Sequence, residues 1–327
     1  MEENKTSNKG LIVLVVILSI ALLGAIGYIC YDKFMVKVEG PKQEKPKQEE
    51  KLSEEEVAKL HDSLINHNNS YGFYFSEKTS IDEIDSKLMV SYVISNIIYD
   101  NKIGINENYM VCGDSSTKYY LCDKETNKAV SEDKVKNNTL SKDVVDNYIK
   151  ENFGTDRDFV IDGKIVSIGN TRYEAYYNSV KEEYYLVNPP RSFSDNSVKS
   201  VMTKSEQTTN DEIVIFDKFV SCWSEVGNYE CSKVLYTSLD EEEKAGNANK
   251  LFYAGSDENG ELKFFDNNNK VISGGEKYLK LNTEEYYEFN YDSIFSDFDS
   301  NLNLFKHTFK KADDGKYYWY SSEIVNE

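Results

Sequence analysis

Residues 11–31, LIVLVVILSIALLGAIGYICY, carry no charged side chain, and about 20 such residues are what an α-helix needs to cross a bilayer. A helix satisfies all of its own backbone groups in lipid, so this stretch predicts one transmembrane helix. A cleaved signal peptide is the competing reading, with Ala25, Ile26 and Gly27 as a small-residue site. Its apolar run exceeds the usual 7 to 15 or so residues, and the tail before it is not basic. Cys30 follows Tyr28 and Ile29, where a lipoprotein anchor wants small residues.

Which side the remainder occupies is contested by two signals. Lys5 and Lys9 precede the helix, while Lys33, Lys37, Lys42, Lys45 and Lys47 follow it, so a literal positive-inside count would hold the domain in the cytoplasm. That rule weakens for long translocated domains, and these Lys alternate with Asp32, Glu39 and Glu44. The cysteines point outward. Cys112 with Cys122 and Cys222 with Cys231 form two local pairs, and a hairpin turning at Val226-Gly227 would bring Cys222 opposite Cys231 at bridging distance. Two disulfides imply an oxidising compartment; free thiols and a metal site are the alternatives, and zinc lacks its C-x-x-C spacing and nearby His. The expected location is therefore the cell membrane, single-pass, with a cytoplasmic N-terminus and an extracellular C-terminal domain.

Residues 1–10 make a short tail, 11–31 the membrane helix, 32–52 a charged, Pro-containing tether without apolar periodicity, and 53–327 an α+β domain. Ser53 with Glu56, and Ser80 with Glu83, have capping-box spacing and predict helices to about Asn66 and Ile98. Ser141 and Gly154 bracket a third over 142–152. From Phe159 onward short alternating segments are punctuated by Asp162-Gly163, Gly169-Asn170, Gly227-Asn228, Asn259-Gly260 and Asp314-Gly315, which predict mainly antiparallel hairpins. Helices first and strands later argue for α+β over alternating α/β. Residues 188–198, around Asn188-Pro189-Pro190, offer a subdomain boundary or a loop.

The net charge of −19 resides in the domain, since residues 1–52 carry eight Lys against seven acids. An acidic surface with three Arg, at 157, 172 and 191, excludes nucleic acid as a partner. His61, His67 and His307 show no metal spacing, His61 and His67 lie on or beside a polar helix face and are expected to meet solvent, and no P-loop, G-x-G-x-x-G, G-x-S-x-G or H-E-x-x-H is present. No cofactor is implied. Ser221-Cys222-Trp223 resembles the tripeptide at a papain-type nucleophile but lacks its preceding Gln and Cys-Gly. The acidic loops at Asp123, Glu125, Asn127 and at Asp297, Asp299, Asn301 lack the Gly and Glu of an EF-hand.

Five Tyr doublets remain: 119-120, 176-177, 184-185, 286-287 and 317-318. Neighbours on a strand face opposite ways, so one ring of each can stay exposed; Tyr176, Tyr184, Tyr317 and Tyr320 are the candidate exposed contacts for a glycan or peptide. Cross-strand packing is the competing explanation.

The short polar tail, a membrane helix ending GYICYDKF, the charged tether, NYIKENFG and the terminal FKKADDGKYYWYSSEIV together resemble single-pass surface-anchored proteins of Gram-positive bacteria with no known activity. The resemblance implies an external location and no mechanism. The expected function is a non-enzymatic binding or interaction module, held to the membrane through residues 11–31 and facing a cell-wall glycan or a protein. The alternatives are an envelope hydrolase with a carboxylate site and a sensory domain acting on a membrane partner.

Overall fold

The computed structural model describes residues 51–327 except 68, 70–71, 114–118, 160, 162–164, 168–172, 189–193, 226, 237–238, 282–286 and 326–327. The apolar segment 11–31 and nearly all of the tether lie outside the described residues. Among the described residues no helix is long and apolar enough to cross a membrane.

The first helix, α1 (Glu54–Asp62), starts where the capping box predicts: Glu56 N donates to Ser53 Oγ and Ser53 N to Glu56 Oε2. It stops before Asn66 because Leu64 and Ile65 tighten onto the carbonyls of His61 and Asp62, after which Ile65 bridges to Gly72. Strand β1 (Thr79–Ser80) follows. Helix α2 (Ser86–Asp100) corrects the second expectation, for its cap is Asp85, not Ser80. Ser80 is already paired in the sheet opposite Ser321, and its carbonyl closes a turn with Glu83 and Ile84.

A hairpin carrying the first cysteine pair comes next, β2 (Tyr109–Cys112) with β3 (Tyr120–Asp123). The strand β4 (Thr139–Ser141) leads into α3 (Lys142–Phe153), capped by Ser141 and ended by left-handed Gly154 as expected. Strands β5 (Ile165–Ser167), β6 (Glu174–Asn178) and β7 (Glu183–Val187) form an antiparallel sheet with β4, in the order β4-β7-β6-β5.

The larger sheet is organised by two long strands, β8 (Ser194–Thr209) and β9 (Glu212–Glu225). The sheet continues from β9 through β10 (Asn228–Ser232) and β11 (Lys250–Ser256), which helix α4 (Leu239–Ala245) connects in sequence, with β12 (Leu262–Asp266) outermost. After a small pair, β13 (Leu279–Leu281) and β14 (Tyr287–Phe289), come helix α5 (Tyr291–Phe298) and the closing hairpin β15 (Leu304–Lys311) and β16 (Tyr317–Val325). The turn glycines Gly227, Gly260 and Gly315 all have positive φ, and the hairpins predicted at these three sites form.

β8 pairs along the length of β9, while the other edge of β9 is shared: β15 takes residues 212–218 and β10 takes 221–225. Period two then separates two cores. Ile213, Ile215 and Phe219 face one, with Met89, Ile94, Phe305 and Trp319, and Val220 and Cys222 face the other, with Phe252, Phe264 and Ile294. From Lys51 onward the chain forms one compact unit, and residues 189–193, at the expected subdomain boundary or loop, lie outside the described residues. The structure is α+β with mostly antiparallel sheets.

Both cysteine pairs are bridged. Cys222 lies directly opposite Cys231 with Cα atoms 4.1 Å apart. Cys112 and Cys122 are diagonal, Cys112 pairing with Tyr120 and Cys122 with Met110, with a Cα separation of 5.9 Å.

Candidate functional site

A strand whose alternate residues enter a core should place apolar groups at every inward position. In β9 the inward set is Ile213, Ile215, Asp217 and Phe219, and in β15 it is Phe305, His307 and Phe309. An acid and a histidine thus occupy core positions on neighbouring strands, both at 0% exposure. Register sets Asp217 beside Phe305, one diagonal step from His307.

The buried carboxylate is bonded at both oxygens. Oδ1 lies 3.0 Å from His307 Nε2, while Oδ2 accepts from the Tyr74 hydroxyl at 2.6 Å and lies 2.9 Å from His61 Nε2. Burial opposes its ionised form. The charge and hydrogen bond of His307, then the bonds from His61 and Tyr74, outweigh that and hold the carboxyl below its ordinary range. Burial and the Asp217 charge push Tyr74 well above its ordinary value, so its hydroxyl remains a donor. The Tyr74 ring is stacked on Phe219 with centroids 4.0 Å apart and meets His307 edge-on at 4.8 Å.

Behind His307, Nδ1 is 2.6 Å from Ser322 Oγ, which accepts from Trp319 Nε1 at 2.8 Å. Indole only donates, so the hydroxyl keeps a hydrogen and a second lone pair, and can meet Nδ1 in either protonation state. A β-bulge makes the contact possible. Trp319 pairs with Phe309 and Ser321 with Thr308, so Tyr320 is skipped and residues 319 and 322 both turn inward despite opposite parity.

In front of Asp217, His61 closes α1 with 12% of its side chain exposed, and its Nε2 is also 3.2 Å from Ser200 Oγ on β8. His61 and Ser200 line a cavity of about 540 Å³, together with Asn66, Asn69, Tyr92 and Asn96. Its wall is built from the loop after α1: Asn66 Nδ2 donates to Ser95 Oγ, Asn96 Oδ1 accepts from His67 N, and Tyr92 donates to the Ser63 carbonyl. Asn69 adopts φ +52°, tolerable for Asn, and its carbonyl takes Val198 N at 2.7 Å, pinning the loop to β8. At the rim His67 stacks on Tyr99 and reaches Asp100 at 3.4 Å.

The expectation that His61 faces solvent is therefore corrected: it converges with His307 on Asp217. Among the described residues no group of three His, Cys, Asp or Glu is arranged to hold a metal ion. Asp123 instead accepts from Glu125 N, Thr126 N and Thr126 Oγ1 in a polar turn.

The four tyrosines expected to be exposed together are dispersed. Tyr184 is buried at 1%, a correction that follows because β7 is covered on both faces, Tyr184 meeting the main core and Tyr185 a smaller cluster with Tyr109 and Leu121. Tyr176 is half-buried and donates to Glu174. Tyr317 is half-buried and donates to the Asn210 carbonyl. Tyr320 lies at the bulge under Lys310 Nζ, 3.2 Å from the ring centroid.

Compared with known protein families, curated proteins and solved structures, the chain matches none of them.

Proposed function

We propose that the chain is an extracytoplasmic binding module, held to a membrane by residues 11–31, whose cavity at His61 takes a small neutral ligand rich in hydroxyl or amide groups. The observation that carries this reading is the lining, where uncharged hydrogen-bonding side chains predominate around a histidine fixed from behind by a buried carboxylate. Ligand sites pair concave shape with a few oriented polar groups, and this network supplies the orientation. The two disulfides favour an oxidising exterior over the cytoplasm.

One contact favours a second reading, hydrolysis, since Ser200 lies beside a histidine backed by an aspartate. A nucleophilic triad uses the two ring nitrogens separately, one for the carboxylate and one for the hydroxyl. Here Nε2 serves both, so it cannot donate to Asp217 and accept from Ser200 at once. Binding is the better supported of the two.

The test uses the full chain. Glucose, N-acetylglucosamine and alanyl-alanine are titrated calorimetrically against the wild type and Asn96→Ala, and a ligand of this pocket should lose about tenfold in affinity in the variant. Binding of none of the three, or equal binding by the variant, would remove the assignment. Protease shaving of intact cells reads sidedness separately, and protection of the domain would return it to the cytoplasm.

A further inference from the structure

Beyond the helices the same sheet face continues, and among the described residues neither core covers it. Trp223 on β9 pairs with Asn196 on β8 and with Glu230 on β10, Glu230 pairs with Tyr253 on β11, and Tyr253 with Phe265 on β12. These five residues form one straight cross-strand row, and at about 4.8 Å per strand it spans about 19 Å. Their neighbours Cys222, Cys231, Phe252 and Phe264 point through the sheet into the second core. The three rings of the row are half-buried and belong to neither core.

Tyr253 and Phe265 are stacked with centroids 5.1 Å apart, and the Tyr253 hydroxyl is anchored on Asn269. Glu230 is bound to Lys250 at 2.6 Å, so the middle of the row presents a neutralised pair instead of a net charge. A cavity of about 530 Å³ lies on one side of Trp223 and Glu230 and one of about 390 Å³ on the other, and both residues line both. Ser221, Ser232 and Glu242 line the larger; Asn228 and Asn247 line the smaller.

We infer that this row is a second binding surface, an aromatic platform for an extended, uncharged saccharide chain lying across strands β9 to β12. Flat rings accept the C–H faces of sugar rings, and the flanking hydroxyls, amides and carboxylates accept or donate to their equatorial hydroxyls. A linear row fits a polymer better than a single sugar. Burial and the charge of Glu230 raise the Glu242 carboxyl above its ordinary value. The surface shares no residue with the His61 cavity, so the two readings stand or fall separately.

Calorimetric titration of the full chain with cellohexaose and with the hexamer of N-acetylglucosamine is the test. At least one hexamer should bind about tenfold or more tightly than its own monomer, Trp223→Ala should lose about tenfold or more, and Trp223→Phe should keep most of the affinity. Phe265→Ala, remote from Trp223 along the row, should weaken the hexamer severalfold, with far-ultraviolet circular dichroism unchanged. The inference is overturned if neither hexamer binds, if hexamer and monomer bind alike, or if Trp223→Ala binds as the wild type does. It is also overturned if sedimentation finds a dimer that Trp223→Ala dissociates, because a second copy would then be the occupant.

Discussion

Asp217 Oδ1 and His307 Nε2 meet at 3.0 Å with both side chains at 0% exposure, so an ionisable pair stands where the strand pattern calls for two apolar residues. Removing one partner of such a buried pair leaves the other without compensation, at about 3–5 kcal/mol. Asp217→Ala is expected to lose that much in urea unfolding. Asp217→Asn keeps the shape and should lose less. Equal stability of Asp217→Ala and the wild type would show that the network contributes nothing.

The same carboxyl predicts a pH dependence. Its folded value is depressed, so near pH 4 the unfolded chain binds more protons and stability rises with pH there. The contribution is complete above the unfolded value of about 4 and is lost as pH falls toward the lower folded value. Unfolding midpoints measured from pH 6 down to pH 3 should fall more steeply for the wild type than for Asp217→Asn. Parallel curves would assign the acid sensitivity to other groups.

Ser322→Ala would strand the Trp319 indole N–H and His307 Nδ1 together. Unsatisfied buried groups cost about 1–3 kcal/mol each, and Ser322→Cys, a weaker partner of similar size, should fall between alanine and wild type. Chemical denaturation orders the three. If alanine matches the wild type, the hydroxyl is not the link between these rings.

Gly154 ends α3 at φ +60°, and a Cβ built there would stand 2.5 Å from the Tyr318 ring; Gly246 has φ +51° with nothing within 4 Å. Both alanine substitutions incur the left-handed backbone penalty of about 1–2 kcal/mol. Only Gly154→Ala adds a collision with a ring, so it should be the more destabilising in thermal unfolding. Equal shifts would mean Tyr318 yields freely.

Each disulfide closes a short loop, of sequence separation 10 and 9, for which chain entropy gives about 2.5–3 kcal/mol. Cys222 and Cys231 are both at 0% exposure, whereas Cys112 is half-buried. Mild reduction followed by maleimide labelling and mass mapping should therefore mark Cys112 and Cys122 first. First labelling at Cys222 would contradict the burial.

Much of this was readable from local chemistry. Ser53, Ser141, Gly154 and the turn glycines act through bonds to their own neighbours, and they hold in the structure. Ser80 misled because its spacing to Glu83 is right for a cap while a distant strand, β16, claims it first. The Asp217 site is visible in the sequence only as a polar residue in the inward phase of IVIFDKFV, which does not name its partners. His61 gave no sign at all, since its partner is 156 residues away. Tyr184-Tyr185 failed for a related reason: alternation places one ring on each face of a strand but says nothing of whether both faces are covered.

Strand β9 shows its two sides to two different interiors, and that has a consequence for what length changes the chain can absorb. Deleting one residue at the Phe219-Val220 step would swap the facing of everything beyond it, carrying Cys222 away from its partner and Trp223 into an apolar interior. Deleting two would keep the facing and only shorten the ribbon. Descendants of this sequence should vary there by pairs of residues, while the connections at Asn259 and Asp314 are free to change by one.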